Sequence, residues 1–227
     1  MQYVMSDIRG DFDAYERMLE KISFSEQEDV LYLAGNIVGA GGDSLKLILD
    51  LVPRANVYPI WGGEDLRAAK YLRLLGEKNE EKNLASLPED ERDRFARWLK
   101  EGGNAVLEEF RLLDEEDRSF VIEYFDEFES HIITRAGKRV FVILHGGFRQ
   151  FEEGKEFSAY DPEELAEGTV DRDKRYFPGA YLVTGARCPE NKVLKTAVGN
   201  LLIDCGLGRG GRLACLSLDS GKVFYTE

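Results

Sequence analysis

An acid, a base and a glycine lie together near the start of the chain, in Ser6-Asp7-Ile8-Arg9-Gly10-Asp11. The segment follows a short apolar run, residues 3–5, and leads into an amphipathic pattern over residues 11–22, so we expect it to join a strand to a helix. A carboxylate at such a junction is typical of sites that handle metals or phosphate. Arg9 puts a permanent positive charge into the same turn. The role of Arg9 therefore decides what chemistry the turn can perform.

The elements around this turn are those of a layered α/β fold. Two more apolar strand patterns, residues 29–33 and 57–60, end in glycine-containing loops, and a helix pattern spans residues 44–51. Strands that end in such loops predict a fold whose sites lie at the carboxyl edge of the sheet. A charged helical stretch follows over residues 65–128, with a capping-box signature at Ser86 to Glu89. Strand patterns resume at residue 131, and we expect this second half to stack on the first as a sandwich.

Composition limits the classes of function. With 227 residues we expect one domain, residues 1–227, and the net charge of −13 disfavours nucleic acid and anionic membranes as partners. The chain has no run of 18 apolar residues and no secretory leader, which predicts a cytoplasmic protein. Its three cysteines lack a CxxC pair, so we expect buried, reduced thiols rather than disulfides or a zinc site. It has two histidines, His131 and His145, and we expect His131 in a strand.

Six stretches occur in an order that resembles a known family: SDIRGDFDAY, LAGNIVGAGGDS, WGGED, ILHGGF, VTGA and IDCGLGRGGRLACLSLD. The chain resembles the calcineurin-like metallophosphoesterases. In particular it is similar to the bacterial phosphoprotein-phosphatase branch, which includes diadenosine tetraphosphatases and small serine/threonine phosphatases. The resemblance implies a four-layer α/β/β/α sandwich with a helical insertion at about residues 65–128.

The resemblance also implies a reaction, in which two metals hold a hydroxide that attacks phosphorus and a histidine assists the leaving group. Of the family's six metal-binding side chains, two remain, Asp7 and His145, and they would belong to different metals. Arg9 replaces a ligand histidine and Asn36 replaces the bridging aspartate. The other family positions carry Gly39, Ala40, Gly63, Glu64, Ala186 and, in a loose alignment, Thr169.

We therefore expect a vestigial cleft formed by Asp7, Arg9, Asn36, Glu64, Asp65 and His145, with no fully functional catalytic residue, no metal and no cofactor. The Arg9 guanidinium is expected to replace a metal as the counter-charge of Asp7, with Glu64 and Asp65 as further partners within reach. The alternative is that Arg9 points into solvent.

Three functions remain open. The first is a pseudophosphatase that acts as a binding or regulatory module, through an unknown protein partner or self-association. The second is a divergent phosphoesterase or serine/threonine phosphatase that uses Asp7, Glu64, Asp65 and His145, either with one weakly bound divalent metal such as manganese or as a metal-free acid/base site. The third is nucleotide or small-ligand sensing in the vestigial cleft.

Overall fold

The computed structural model describes residues 1–76 and 80–227, and its strands form two five-stranded sheets. The strands are β1 Gln2–Met5, β2 Val30–Ala34, β3 Val57–Ile60, β4 Ile132–Ala136, β5 Arg139–Leu144, β6 Ala180–Arg187, β7 Leu194–Lys195, β8 Asn200–Asp204, β9 Ala214–Ser217 and β10 Val223–Tyr225. The first sheet has the order β10-β9-β1-β2-β3, and the second has the order β4-β5-β6-β8-β7.

Helices connect β1, β2 and β3 and fill the segment between β3 and β4. They are α1 Phe12–Ile22, α2 Ser44–Leu51, α3 Gly63–Gly76, α4 Glu80–Ala85, α5 Glu89–Trp98, α6 Asn104–Leu112 and α7 Glu115–Tyr124, and α8 Pro162–Glu167 follows β5. A π-helical turn, Leu99–Gly103, links α5 to α6. Asp11 caps α1 and Asp114 caps α7, each by accepting a backbone N–H bond, as expected for aspartate at these positions.

The two sheets share an apolar core. Val4 and Ala34 of the first sheet lie in the same buried cluster as Ile143, Val183 and Ile203 of the second. The alternation of side chains along each strand gives each sheet a second apolar face, which must be covered from outside. The predicted α/β sandwich is confirmed.

The outer faces are covered in different ways. Helices α1, α2, α3, α6 and α7 bury the outer face of the first sheet in a large cluster that includes Met5 and Leu33. The outer face of the second sheet is covered by α8 and by aromatic side chains of loops, among them Phe148 and Tyr176. The fourth layer is therefore mostly irregular chain, held by stacked and edge-to-face aromatic rings.

Three details differ from the sequence-based expectations. The terminal hairpin of β9 and β10 joins the first sheet, because β9 pairs antiparallel with β1, so the second half does not form one sheet. Ser86 does not cap α5: its hydroxyl donates to the Asn83 carbonyl, and Pro88 occupies the N-cap without a side-chain bond. His131 lies just before β4, where its ring stacks on Phe157 with centroids 4.0 Å apart.

The parallel strands place their carboxyl ends at one edge of the sandwich. Strands β1, β2 and β3 run parallel, as do β5, β6 and β8. The loops after these six strands carry most of the residues predicted from the motifs. Within the described residues, no helix combines the length and the apolar character needed to cross a membrane.

Candidate functional site

The turn after β1 is joined to the turn after β2 by backbone hydrogen bonds. The Asp7, Arg9 and Gly10 N–H groups donate to the carbonyls of residues 35, 36 and 37 at 3.0, 2.9 and 2.8 Å. Asp7 and Arg9 have φ values of 56° and 55°, a left-handed conformation that is unfavourable for residues with a side chain. Such conformations persist where surrounding contacts fix them, and here they direct both side chains into the cleft.

The Asp7 carboxylate is buried and contacts three polar groups of the protein. Arg9 Nη2 lies 2.8 Å and Asn36 Nδ2 3.0 Å from Asp7 Oδ1, and the Ser6 hydroxyl lies 2.8 Å from Oδ2. The predicted pairing of Arg9 with Asp7 is confirmed, and the solvent-directed alternative for Arg9 is wrong. A cation that binds Asp7 would therefore have to compete with these donors, above all with the Arg9 guanidinium.

Arg9 does not reach the other two acids that were expected as partners. Glu64 forms its ion pair with Arg67, at 3.2 Å between Oε1 and Nη2. Asp65 accepts three backbone N–H bonds, from Ile37 and Val38 on Oδ1 and from Gly62 on Oδ2, at 2.8 to 3.0 Å. The expectation of Glu64 or Asp65 beside Arg9 is therefore wrong, because each is held by nearer donors.

Asp65 has a structural position in the middle of the cleft loops. It is fully buried, and loss of hydration raises the pKa of its carboxyl group from 3.8 to about 7, against the opposing effects of its backbone donors and of His145. Its three hydrogen bonds tie the loop after β2 to the loop after β3. Asp65 thus holds the cleft together rather than offering free oxygens to a ligand.

Asn36 connects the same loops through a neutral amide. Its Nδ2 group donates to Asp7, and its Oδ1 atom accepts the Glu64 backbone N–H at 3.0 Å. An aspartate at this position could accept the Glu64 bond but could not donate to Asp7. The amide therefore suits a cleft in which the Asp7 carboxylate is satisfied by donors of the protein itself.

His145 is packed between two glycines at the end of β5. Its Nδ1–H donates to the Ala34 carbonyl at 2.7 Å, so Nε2 is the ring nitrogen that remains for another contact. A Cβ atom at Gly35 would lie 2.6 Å from the imidazole Cγ, and a Cβ at Gly185 would lie 2.7 Å from Cε1. Both contacts are too close, so only glycine permits this ring position.

The residues at the remaining family positions contact neighbouring segments of the chain, and Ala40 and Thr169 stay exposed. Gly39 packs against the Arg9 side chain, and Ala40 packs against the backbone of Gly102 in the π-helical turn. Gly63 faces the side chains of Glu167 and Arg67. Ala186 packs against a small buried cluster at the ends of β6 and β8, and Thr169 pairs with Phe148 in an isolated bridge.

The residues present do not fit the two-metal centre that the resemblance implies. Among the residues that the structure describes, no group of three or more histidine, cysteine, aspartate or glutamate side chains could hold a metal ion. The two ligand-type side chains that remain, Asp7 and His145, are bonded to Arg9, Asn36, Ser6 and the Ala34 carbonyl. We therefore derive no chemical step through a metal.

A large groove, which no sequence motif indicated, lies beside Gly63. It has a volume of about 770 Å³ and is called the insertion groove here, because α3 and α5 of the helical stretch form one wall. Basic and acidic side chains line it in equal numbers. They are Arg67, Lys70, Arg94, Arg97 and Arg149, and Glu91, Glu101, Asp161, Glu163 and Glu167.

Several of the groove's charges neutralise each other. Lys70 pairs with Glu91 at 2.7 Å, Arg67 pairs with Glu167, and Arg149 lies 3.7 Å from Glu167. Arg94 and Arg97 stand one turn apart on α5, both exposed. The groove therefore has one wall with exposed basic residues and, on α8, an acidic one.

Comparison with known proteins agrees with the resemblance found in the motifs. No protein-family model matches the chain. A symmetrical bis(5'-nucleosyl)-tetraphosphatase of Acidovorax sp. (strain JS42) is 33% identical over 102 residues, covering 43% of this chain and 36% of the relative. The protein of the same name from Xanthomonas axonopodis pv. citri (strain 306) is 31% identical over 108 residues, covering 43% and 32%. The chain thus spans about a third of the length of these curated relatives.

Solved structures extend the likeness to the whole chain. A crystal structure assigned as a diadenosine tetraphosphatase superimposes with a TM-score of 0.64 at 17% identity, covering 99% of this chain and 92% of that one. A metallophosphoesterase from Sphaerobacter thermophilus gives a TM-score of 0.56 at 13% identity, covering 100% and 88%. At these identities the superpositions establish the fold alone.

Proposed function

We propose that this chain is a member of the calcineurin-like phosphoesterase family and a pseudophosphatase: it keeps the phosphoesterase fold and acts by binding a protein partner or a second copy of itself. The fold is that of the diadenosine tetraphosphatases and metallophosphoesterases with which it superimposes. Loss of hydrolysis is inferred from the residues of the cleft, and the binding role is inferred from the insertion groove.

The observation that carries the proposal is the ion pair between Arg9 and Asp7. The Asp7 carboxylate holds the Arg9 guanidinium at 2.8 Å inside a buried turn. A guanidinium in this position supplies the positive charge that a dication supplies in the family, and it cannot lose its proton at ordinary pH. Metal binding would leave Arg9 without its ion pair, so the cleft disfavours the ion that the family's reaction requires.

The alternative, a divergent phosphoesterase, has less support from the geometry. A metal-free acid/base site needs a titrating group that can reach a substrate. The two carboxylate oxygens of Asp65 accept three backbone N–H bonds, and Glu64 is paired with Arg67. His145 keeps one free ring nitrogen, but no activated nucleophile lies beside it among the described residues.

The insertion groove is the surface that we propose for the partner. Its two charged walls fit a protein segment that carries both basic and acidic side chains better than they fit a phosphate ester, since the acidic wall would repel the ester.

Metal binding and turnover test the loss of hydrolysis. We expect wild-type protein to retain no stoichiometric manganese in elemental analysis and to show no manganese-dependent turnover of a chromogenic phosphomonoester. The triple variant Arg9→His, Asn36→Asp, Gly63→Asn restores three ligand types and should bind manganese more tightly than wild type. Two metals per wild-type chain, or manganese-dependent turnover that Asp7→Asn abolishes, would contradict the proposal.

The binding role is tested at the groove. Chemical cross-linking in cell extract, followed by purification of the captured complex, should give a protein or a second copy whose cross-links map to α5 or α8. The variant Arg94→Glu, Arg97→Glu should lose this complex. Arg92→Glu provides a matched control, because Arg92 is exposed on the same helix but does not line the groove. Equal loss with the control variant would place the interaction elsewhere.

A further inference from the structure

Two of the three cysteines stand side by side at the ends of neighbouring strands. The last paired residues of β6 and β8 are Arg187 and Asp204, and each is followed directly by a cysteine, Cys188 and Cys205. The Cys188 N–H donates to the Asp204 carbonyl at 2.8 Å, which keeps the two strand ends together past the last pair. Neighbouring strands lie about 4.8 Å apart, within the range of about 4.4 to 6.8 Å that a disulfide spans between Cα atoms.

Both side chains point to the same side of the sheet. Cys188 and Cys205 belong to one buried cluster with Leu202 and Ala214, so the two thiols share one apolar environment. All three cysteines of the chain are free thiols, and Cys215 lies in the core on the other sheet, paired with Met5 of β1. The pair at the strand ends is thus set apart from Cys215 by its geometry.

The two thiols of the pair are not equivalent. Interaction with the neighbouring Cys205 thiol, together with the Leu194 backbone, lowers the pKa of Cys188 against the effect of its burial. Interaction with Cys188, together with burial, raises the pKa of Cys205. The lowered pKa favours Cys188 as the nucleophile of the pair, and in the resting dithiol its S–H donates to the Leu202 carbonyl at 2.8 Å.

We propose that Cys188 and Cys205 form an oxidation-sensitive dithiol, which hydrogen peroxide converts into an intramolecular disulfide. The Cys188 thiolate attacks one peroxide oxygen, the O–O bond breaks, and the leaving hydroxide takes up a proton to form water. The Cys205 sulfur then attacks the Cys188 sulfenic acid, the S–O bond breaks, and hydroxide leaves with the Cys205 proton as a second water. The protein loses two electrons and two protons, and one peroxide molecule is reduced to two water molecules.

The disulfide would lie at an end of the sandwich where several other contacts already connect the loops. Asp204 pairs with Arg209 at 2.5 Å and with Arg187 at 3.4 Å. Leu207, two residues past Cys205, packs against the helical core of the first sheet. A disulfide between the ends of β6 and β8 therefore joins the loop that bears Cys188 to a loop that contacts the opposite sheet.

Mass spectrometry of the folded full chain tests the proposal, because the three cysteines fall in three different tryptic peptides. After treatment with hydrogen peroxide, we expect a loss of about 2 Da, a cross-linked peptide joining Cys188 to Cys205, and reversal by dithiothreitol. Cys215 should stay reduced. Protein that is unfolded in urea and treated in the same way serves as the reference sample, and there we expect Cys215 to be oxidised as well.

Variants separate the pair from other routes of oxidation. Cys188→Ser and Cys205→Ser should each abolish the 2 Da loss, whereas Cys215→Ser should retain it. If a variant fails to fold, the presence or absence of the Cys188–Cys205 cross-linked peptide in wild-type protein still tests the proposal. Wild-type protein that keeps its dithiol mass, that gains oxygen on a single thiol without cross-linking, or that links Cys215 would overturn the proposal.

Discussion

Asp7 and Arg9 form the central pair of the cleft because the turn after β1 holds both residues in left-handed conformations. The Asp7 side chain is buried, whereas the Arg9 side chain keeps 27% of its surface exposed. Removing the exposed member of such a pair leaves a buried charge without its counter-ion, a change that costs more free energy than the intact pair contributes.

Replacement of Arg9 is expected to destabilise the fold. Arg9→Met should lower the free energy of unfolding by about 2 kcal/mol, less than for a fully buried pair because part of the guanidinium is solvated. Arg9→Lys, which keeps the charge, should lose less. Urea unfolding measures both changes. In the double variant with Asp7→Asn, the loss should be smaller than the sum of the single losses, and strict additivity would show that the two residues do not interact.

Asp65 should make stability fall as the pH rises. Burial raises its pKa from 3.8 to about 7, so between these values the folded chain keeps a proton that the unfolded chain has lost. Its contribution to stability is therefore present below about pH 4 and is lost as the pH rises through about 7.

The variant Asp65→Asn isolates this contribution, since every other titrating group is shared with wild type. The free energy of unfolding of wild type, relative to the variant, should fall by about 3 kcal/mol between about pH 4.5 and pH 7.5. Urea unfolding at several pH values measures the difference. A difference that is constant or increases with pH would show that Asp65 is ionised throughout.

At the scale of elements, the cleft is a junction of loops from both sheets. Bonds from His145 and Asp65 connect the loops after β2, β3 and β5, and Gly185 at the end of β6 lies against the imidazole ring. These contacts are close enough that the shape of the cleft depends on which glycines lack a side chain.

Gly185→Ala should therefore destabilise the chain by about 1 to 3 kcal/mol, because the added methyl group would overlap the His145 ring and the Ser6 hydroxyl. Thermal unfolding measures the loss. Combining it with His145→Ala should recover part of the loss by making room. Gly76→Ala is a suitable control: its methyl group would come no closer than 3.6 Å to Phe110, and its effect should stay within about 1 kcal/mol. Equal losses at both glycines would contradict the crowding described here.

At the scale of the whole molecule, one apolar layer lies between the two sheets and joins them. Ile143 of β5 is fully buried in that layer, whereas Ile133 on the edge strand β4 is 56% exposed. An isoleucine on β5 therefore contributes more to the stability of the fold than an isoleucine on the neighbouring strand β4.

Ile143→Ala should lower the free energy of unfolding by about 2 to 5 kcal/mol, since it removes buried methyl groups and leaves a cavity between the sheets. Ile133→Ala, the matched control, should cost less than about 1 kcal/mol. Urea unfolding followed by circular dichroism compares the two variants. Similar losses would mean that the inner layer is not the main apolar core of the second sheet.

Much of this architecture could be predicted from local sequence. The patterns predicted β1, β2, β3, α1 and α2 to within about a residue, because apolar periodicity and capping residues act over short distances. Motif order predicted the sandwich, which the solved structures with the same fold confirm. The pairing of β9 with β1 could not be predicted, since it joins residues more than 200 positions apart and no local pattern specifies which sheet a terminal hairpin enters.

The sequence by itself determined which side chains the cleft could contain: two histidines in all, an arginine at a ligand position, and an asparagine in place of the bridging aspartate. It also indicated that Arg9 would neutralise Asp7. Only the tertiary structure decided that Arg9 contacts Asp7 and not Glu64 or Asp65. It also decided that the Asp65 carboxylate accepts backbone N–H bonds and that two glycines enclose the His145 ring. These outcomes depend on distances between loops from different strands, and such distances are set by the packing of the two sheets rather than by spacing along the chain.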